Sequence, residues 1–405
     1  MQIITELLEL KGLRIYKIQN NEHKILIRVG STKKKVVCNN CSCIFAKTGN
    51  KHENGLLSEY QHGILNNKEI ILQAKRNRFK CPKCTKIITE ELGGLKLSNG
   101  YARTSVFDKL VLERLSTDPT LTSIARSFNI SVSKVKNILI SNTSKGPWIS
   151  NAIEKLRSGF VMGVDEKHFL KKQFHLVITS ISGRKLLALG KDRSKTTLIK
   201  FFKEIKQKAI PKAICIDMWR PYLNAIYEVF GKEMPVVIDK FHVYKLVNTY
   251  LLQSKDIIEH NRKSKNPLNY SLPSFRALLY SNKNLNRSPS AKRKLATLLK
   301  YDPKLIQLRR IRNLLEEFYS SKSRKEGEKR LRELVAYAKS SYCPYGADLA
   351  RTFERWFKEI TNYFDYPYTN AYTEGINNKL ENTNRDGYGF RNRDIYLRRV
   401  SLLVR

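Results

Sequence analysis

Apolar positions recur with different spacings along the chain, and each spacing predicts a different kind of segment. Over residues 1–90, apolar and basic residues alternate in short runs, ILIRVGSTKKKVVCNNC and KEIILQAKRNRFKCPKC, punctuated by Gly and Asn. That alternation predicts strands. Over 102–141 the spacing becomes helical. Asp118-Pro119-Thr120 offers an acid and a proline as a helix start, and Leu121, Ile124, Ala125 and Phe128 then share one face. Asn129-Ile130-Ser131 forms a break, and Ser131 can cap a second helix over 132–140. Its Val135, Ile138 and Leu139 would face inward, and Ser133, Lys134, Lys136 and Asn137 outward. This is helix-turn-helix spacing, whose second helix would enter a major groove, although plain helical hairpins share the pattern.

Residues 159–248 mix both spacings. A buried-strand run, 160–164, ends on Asp165, and strands over 174–181 and 185–189 follow around the turn Ser182-Gly183-Arg184. A helix over 196–208 leads to the apolar run 213–216, which ends on Asp217. A second helix, 221–230, leads to 236–238, which ends on Asp239. Three antiparallel strands followed by α-β-α-β is the order of an RNase H-like α/β core with a mixed five-stranded sheet. In that topology the first and fourth strands are adjacent and parallel, so Asp165 and Asp217 would sit side by side. Residues 250–365 return to helical spacing, with polar breaks at SKNPLNYS and SNKNLNRSPS. The last forty residues hold one helix candidate, around TEGINNKLEN, and a Gly-rich turn at DGYGF.

Charge then narrows the partners. The chain of 405 residues carries 76 Lys+Arg against 36 Asp+Glu, a net charge of +40, which points to a polyanion. At 41% hydrophobic it can build real cores and is not a disordered basic tail. No apolar run approaches the roughly 18 residues of a membrane span. Glu6 and Glu9 stand where a signal peptide would be basic and then apolar, so a cytoplasmic, nucleoid-associated protein is expected.

The seven cysteines cluster in pairs, which suggests metal ligation rather than a disulfide framework. Cys38-x-x-Cys41 and Cys81-x-x-Cys84 each can close a tight turn aiming two thiolates at one point, the sulfur set that structural Zn²⁺ prefers. Cys43 offers another register, and His52 or His62 could replace one sulfur. Cys215 and Cys343 lie alone in apolar surroundings and read as small buried hydrophobes. Lys33, Lys34, Lys35, Lys75, Arg76 and Arg78 would suit phosphate contact, though a solvated face explains them equally well.

Two carboxylates converging at a sheet edge repel each other unless a cation lies between them. Hard oxygen ligands suit Mg²⁺ or Mn²⁺, and a third acid from a helix would complete a two-metal site. Glu374 is the candidate, and Glu381, seven residues on along the same helical face, is the runner-up. Asp239 competes with Asp217 because it also follows a strand, but it could equally cap the helix that begins there. His242 could face the site or the core.

The motifs Cys-x-x-Cys with a later Cys-Pro-x-Cys, Gly163-Val164-Asp165-Glu166, Ile216-Asp217-Met218-Trp219-Arg220-Pro221-Tyr222, Asp239-Lys240-Phe241-His242-Val243, Thr373-Glu374-Gly375-Ile376-Asn377-Asn378-Lys379 and Gly387-Tyr388-Gly389-Phe390-Arg391-Asn392 occur in that order. Together they resemble the ISL3 family of bacterial insertion-sequence transposases. The resemblance implies a DDE enzyme that cuts and joins double-stranded DNA at the terminal inverted repeats of its own element and at target DNA, with a homodimer assembled on DNA. It implies Asp165, Asp217 and Glu374 as the Mg²⁺-holding triad, with Asp239 and His242 in support. The segments then read as a zinc-ribbon-like module (1–95), a helix-turn-helix (100–145), the first part of the core (155–250), an all-α insertion (251–365) and a C-terminal part carrying the third acid (366–405). A catalytically inactive regulator, or a nuclease without strand transfer, are the rival expectations.

The insertion is denser in charge than the whole chain: residues 251–340 hold 22 Lys+Arg against 8 Asp+Glu. It could contact DNA near the cut or simply present a solvated surface. Trp356 and the run Tyr363-Phe364-Asp365-Tyr366-Pro367-Tyr368 could stack on unpaired bases or pack the insertion onto the core.

Overall fold

The computed structural model describes residues 2–92, 97, 102–118, 120–143, 150–170, 173–190, 192–263, 281–301, 303–341, 345–390 and 392–403. Cys343, Pro119, Arg391 and the break SKNPLNYS lie outside the described residues. The chain divides into two compact units, residues 1–146 with 382–405, and residues 147–381.

The first unit opens with α1 (Gln2–Leu7) and then strands β1 (Leu13–Asn20), β2 (Lys24–Ser31), β3 (Lys35–Val37), β4 (Ile44–Ala46), β5 (Lys51–Glu53), β6 (Leu57–Leu65), β7 (Lys68–Lys75), β8 (Arg78–Lys80) and β9 (Ile87–Thr89). They form a four-stranded sheet in the order β1-β2-β7-β6, a β3-β4 hairpin and a β5-β8-β9 sheet. The alternation of the sequence is real here: Ile27 and Val29 on β2 and Ile70, Leu72 and Ala74 on β7 bury one side of the large sheet. Three helices follow: α2 (Ser105–Thr117), α3 (Leu121–Ser127) and α4 (Val132–Asn142). Their side-chain caps are Thr104, Thr120 and Ser131, each accepting a backbone N–H from the first turn. The predicted apolar faces meet, with Ile124, Ala125 and Phe128 against Val135, Ile138 and Leu139, and Phe107, Val111 and Leu115 of α2 closing the cluster.

In the second unit, α5 (Ser150–Glu154) precedes β10 (Val161–Leu170), β11 (Gln173–Ser180), β12 (Lys185–Leu189), α6 (Lys195–Lys208), β13 (Ala213–Ile216), α7 (Arg220–Phe230) and β14 (Val236–Ile238). The sheet order is β12-β11-β10-β13-β14, antiparallel up to β10 and parallel beyond it. This mixed five-stranded sheet is consistent with an RNase H-like fold. Short strands such as Ala213–Ile216 are buried at every position, as parallel strands covered on both faces must be. Ser194 caps α6, and α7 starts with Pro221 in its first turn and stops at Gly231, whose φ of 95° suits glycine.

One expectation is corrected. The first core strand does not end on Asp165 but runs five residues further, to Leu170. β11 keeps pairing with it there, opposing Asp165 to Val177 and closing the hairpin at Leu170 and Gln173. Only the parallel pairing with β13 stops early, at Gly163 and Cys215.

The rest of the unit is helical: α8 (Lys240–Lys263), α9 (Asn282–Arg287), α10 (Pro289–Tyr301), α11 (Pro303–Tyr319), α12 (Arg324–Ser340), α13 (Gly346–Arg355), α14 (Phe357–Thr361), a 3-10 turn at Asn362–Phe364, and α15 (Ala371–Asp386). Leu308, Ile311, Phe318, Leu331, Leu334 and Phe353 continue the core cluster that begins on the sheet. The aromatics singled out in the sequence mostly pack. Trp356 is 3% exposed, and Tyr363 and Phe364 lie edge-on to Tyr319 and Phe318. The division between the units falls inside α15, after Glu381, and the last helix, α16 (Arg393–Leu403), packs Ile395 and Leu402 into the α2–α4 cluster.

Candidate active site and metal centre

Parallel strands hold equivalent residues level, so the register of the sheet decides what meets at its edge. Gly163 pairs with Cys215, the last pair of that register, and Asp165 and Asp217 each follow two residues on, close enough for the charge of Asp217 to act on Asp165. Ile216 pairs with Ile238, and Asp217 and Asp239 are the next residues after β13 and β14. The charge of Asp217 acts on both Asp165 and Asp239.

Their environments differ. Asp165 accepts from the Glu166 backbone N–H at 2.7 Å and from Asn377 Nδ2 at 2.6 Å. Burial, followed by the nearby Asp217 charge, pushes its carboxyl up to about 7. Asp217 Oδ2 lies 2.9 Å from His242 Nδ1, while its Oδ1 is buried with no hydrogen-bond partner among the described residues. Burial acts to lower the His242 pKa, but the hydrogen bond and charge of Asp217 outweigh it and hold the imidazole above its ordinary value. Asp239 is buried, which raises its pKa, and its side chain accepts from the Phe241 N–H at 3.2 Å at the start of α8. It therefore has the capping contact that its position before a helix suggests, while His242, one turn along, faces Asp217.

Helix α15 is fastened onto β10 by polar side chains. Asn370 Nδ2, just before the helix, donates to Val164 O at 3.1 Å, and Thr373 Oγ1 meets Asn370 Oδ1 at 2.8 Å and Thr179 Oγ1 of β11 at 2.7 Å. Gly163 makes this approach possible, because a Cβ there would fall 2.3 Å from Thr373 Oγ1 and 2.6 Å from Asn370 Oδ1. At roughly 100° per residue, Thr373 turns toward β11 and Asn370 and Asn377 toward β10. Glu374 lies next to Thr373 on the helix, off that stripe. It is exposed, one turn before Asn377, and makes no side-chain hydrogen bond or ion pair among the described residues. Asp165, Asp217 and Glu374 do not close to within 4.8 Å of one another as the cysteine sulfurs do. The runner-up acid is already engaged: Glu381 pairs with Lys167 of β10 at 2.8 Å.

Sequence reasoning passed over Asn370, Thr373 and Asn377 as functional residues. Their spacing of three and four puts polar side chains on one helical stripe, the signal by which they could have been found.

The tetracysteine group has its own local logic. Cys38 N–H donates to Cys43 O and Ser42 N–H to Cys38 O; Cys81 N–H donates to Lys86 O and Thr85 N–H to Cys81 O. Ser42 and Thr85 share a left-handed backbone, φ 56° and 59°. The two turns are thus copies of one knuckle, in which Cys43 corresponds to Lys86 and serves through its carbonyl. The sulfurs of Cys38, Cys41, Cys81 and Cys84 all lie within 4.8 Å of one another and can hold a metal ion. The Lys86 backbone N–H leads the contacts that hold the Cys84 thiol down at about 6, while burial and the neighbouring thiols push Cys41 up. His62 is elsewhere, between Leu8 O and Thr104 Oγ1, and His52 is exposed on β5 outside the group.

On the candidate recognition helix α4, Ser133, Lys136 and Asn137 are exposed, whereas Lys134 is half-buried and donates to Gln61 Oε1 of β6.

Residues 162–400, more than half of the chain, match the ISL3-type DDE transposase family, described as "Transposase". The chain belongs to the ISL3 family of DDE transposases. It is also similar to the transposase for insertion sequence element IS1001 of Bordetella parapertussis, at 23% identity over 342 residues, which cover 82% of this chain and 80% of that protein. Membership of the ISL3 family carries the family's general function, enzymatic transposase activity on DNA. No helix among the described residues is long and apolar enough to cross a membrane.

Proposed function

We propose that this ISL3-family protein cuts DNA at the terminal inverted repeats of its element and joins the freed 3′ ends to target DNA, using Asp165, Asp217 and Glu374 to hold two Mg²⁺ ions. The observation that supports the reading is that the parallel pairing of β10 with β13 ends at Gly163 and Cys215, two residues before Asp165 and Asp217, whose charges interact, while Asn377 of α15 bonds Asp165. A carboxyl driven up to about 7 beside a second acid, and a buried Asp217 Oδ1 lacking a donor among the described residues, describe an oxygen site that is electrostatically incomplete without a cation. Bound Mg²⁺ would supply Lewis acidity at the attacking and leaving oxygens of an in-line displacement.

The chain's own groups do the rest. Asn377 and the Glu166 N–H orient the two oxygens of Asp165, His242 fixes Asp217, and Asp239 caps the helix that presents His242. Glu374, exposed on α15 and without a partner among the described residues, is the third acid. In the other unit, α3 and α4 act as a helix-turn-helix, with Ser133, Lys136 and Asn137 toward bases and phosphates and Lys134 partly committed to Gln61. Zn²⁺ in the cysteine group stabilises the two knuckles. Two protomers meet on DNA, because two ends must be brought to one target.

The test is a duplex carrying the element end, with Mg²⁺ and the full chain. Nicks and joined products support the proposal; nicks without joining indicate a nuclease, and binding without either indicates a regulator. Asp165→Asn and Asp217→Asn should each abolish cleavage and leave binding intact. Cleavage at the wild-type rate by either variant would overturn the assignment.

A further inference from the structure

A cavity of about 520 Å³ opens directly beside Asp217, between the start of α7 and one face of α8. Its size is that of a pocket for a small organic group such as one nucleotide. Asp217 and His242 are at one end, Trp219 and Tyr250 supply aromatic surface, and Lys245 and Gln253 contribute a cation and an amide. Trp219 is one of two large aromatics left exposed among the described residues of this unit, Phe241 being the other. Trp219 is 41% exposed, whereas Trp356 is 3% exposed. An indole left in the open forgoes apolar burial.

The ring is nevertheless held in place. The Arg193 guanidinium lies 5.1 Å from its centroid and 3.9 Å from that of Phe174, and Arg193 itself is anchored on Glu166 Oε1 at 2.6 Å. Glu166 is held a second time by Tyr222 OH at 2.7 Å. A supported aromatic face, open to a cavity that adjoins the candidate cation-binding carboxylates, is a stacking platform for a planar group.

Resting on the proposed cleavage activity, we propose that this cavity receives one DNA base unstacked from the duplex next to the scissile phosphate. The base stacks on Trp219, Lys245 neutralises the adjoining backbone phosphate, and Gln253 meets the polar edge of the base. Extruding a base turns the backbone at the cut, and an enzyme that works on a phosphate deep beside a sheet edge gains access to it that way. Trp219 is a positioning residue in this scheme and touches no reacting atom.

The experiment uses the full chain with Ca²⁺ in place of Mg²⁺, and end duplexes carrying 2-aminopurine at one position each on either side of the cleavage site. One position should brighten on binding. Trp219→Ala should lose that signal and slow cleavage in Mg²⁺ at least about fivefold, the weight of one base–aromatic stack. Trp219→Phe should keep both the signal and most of the rate, which separates lost stacking from misfolding. An abasic site at the brightened position should restore cleavage to Trp219→Ala. No brightening at any position, or an undiminished signal in Trp219→Ala, overturns the pocket. Since the fluorescence is read without cleavage, its failure in a protein that still cuts sinks this inference alone. Cleavage that survives Asp165→Asn sinks the catalytic assignment instead.

Discussion

Asn377 Nδ2 donates to Asp165 Oδ2 over 2.6 Å, joining residues 212 positions apart in the chain. The bond serves two ends at once: it fixes the rotamer of the acid, and it anchors the helix that carries Glu374. Hydrogen bonds to a charged acceptor are worth about 1.5–3 kcal/mol. Asn377→Leu should therefore lower the melting temperature and make Asp165 still harder to ionise. The pH–rate profile for cleavage should move to higher pH. An unmoved profile would show that Asn377 has no hold on the acid.

The three shifted groups at the sheet edge act on stability in one direction. Asp165, raised to about 7, and Asp239, also raised, are protonated in the folded chain where they would already be ionised unfolded. The folded state thus binds more protons between about pH 4 and 7, and stability falls as pH rises through that window. His242, raised as well, contributes stability that is complete below its ordinary value and fades as pH climbs past the folded one. In Mg²⁺-free buffer, Asp165→Asn should be less sensitive than wild type to a change from pH 5 to pH 8, and more stable at pH 8. Thermal unfolding of the two proteins at both values checks this. Mg²⁺ should raise the wild-type melting temperature at pH 8 and have little effect at pH 5.

Much of this was legible from residue order. The runs 213–216 and 236–238 match their strands because short, fully apolar stretches flanked by helical spacing leave few alternatives. The length of β10 was hidden, because Lys167 and His168 look like loop residues until β11 pairs with them. The α15 contacts were hidden for another reason. Asn370, Thr373 and Asn377 are ordinary polar residues whose meaning lies in Gly163 and Thr179, almost two hundred or more positions away. Nor could spacing alone separate Trp219 from Trp356, since which indole the core accepts is settled by tertiary packing.

The cysteine knuckles predict a metal stoichiometry. The full chain should carry one Zn²⁺, and Cys43→Ser should retain it, because that residue serves through its carbonyl. Cys41→Ser or Cys81→Ser should lose the ion and unfold the small sheets locally, with DNA binding weakened at least about tenfold. Zinc measured by atomic absorption on each variant decides the register; loss of metal in Cys43→Ser would overturn it.

Gly163→Ala tests how closely α15 must approach β10. The added methyl would fall 2.3 Å from Thr373 Oγ1 and 2.7 Å from Thr179 Oγ1, so helix and sheet must part. Overpacking of this kind costs about 1–3 kcal/mol. Cleavage should fall as well, because the same displacement carries Glu374 away from the aspartates. A fully active variant of unchanged melting temperature would mean that the contact yields without consequence.

The choice between Glu374 and Glu381 reduces to what each already does. Glu381 is committed to Lys167 at 2.8 Å, in a pair whose side chains are 53% and 30% exposed. Such pairs are worth about 0–1 kcal/mol, so Glu381→Gln should leave stability nearly unchanged and cleavage within about threefold of wild type. Glu374 is exposed and has no partner to lose among the described residues. Glu374→Gln should therefore leave the melting temperature unchanged, while cleavage falls by at least about a hundredfold and DNA binding persists. The opposite pattern, a silent Glu374→Gln and an inactive Glu381→Gln, would transfer the third acid one heptad along α15 and make Lys167 the group that releases it.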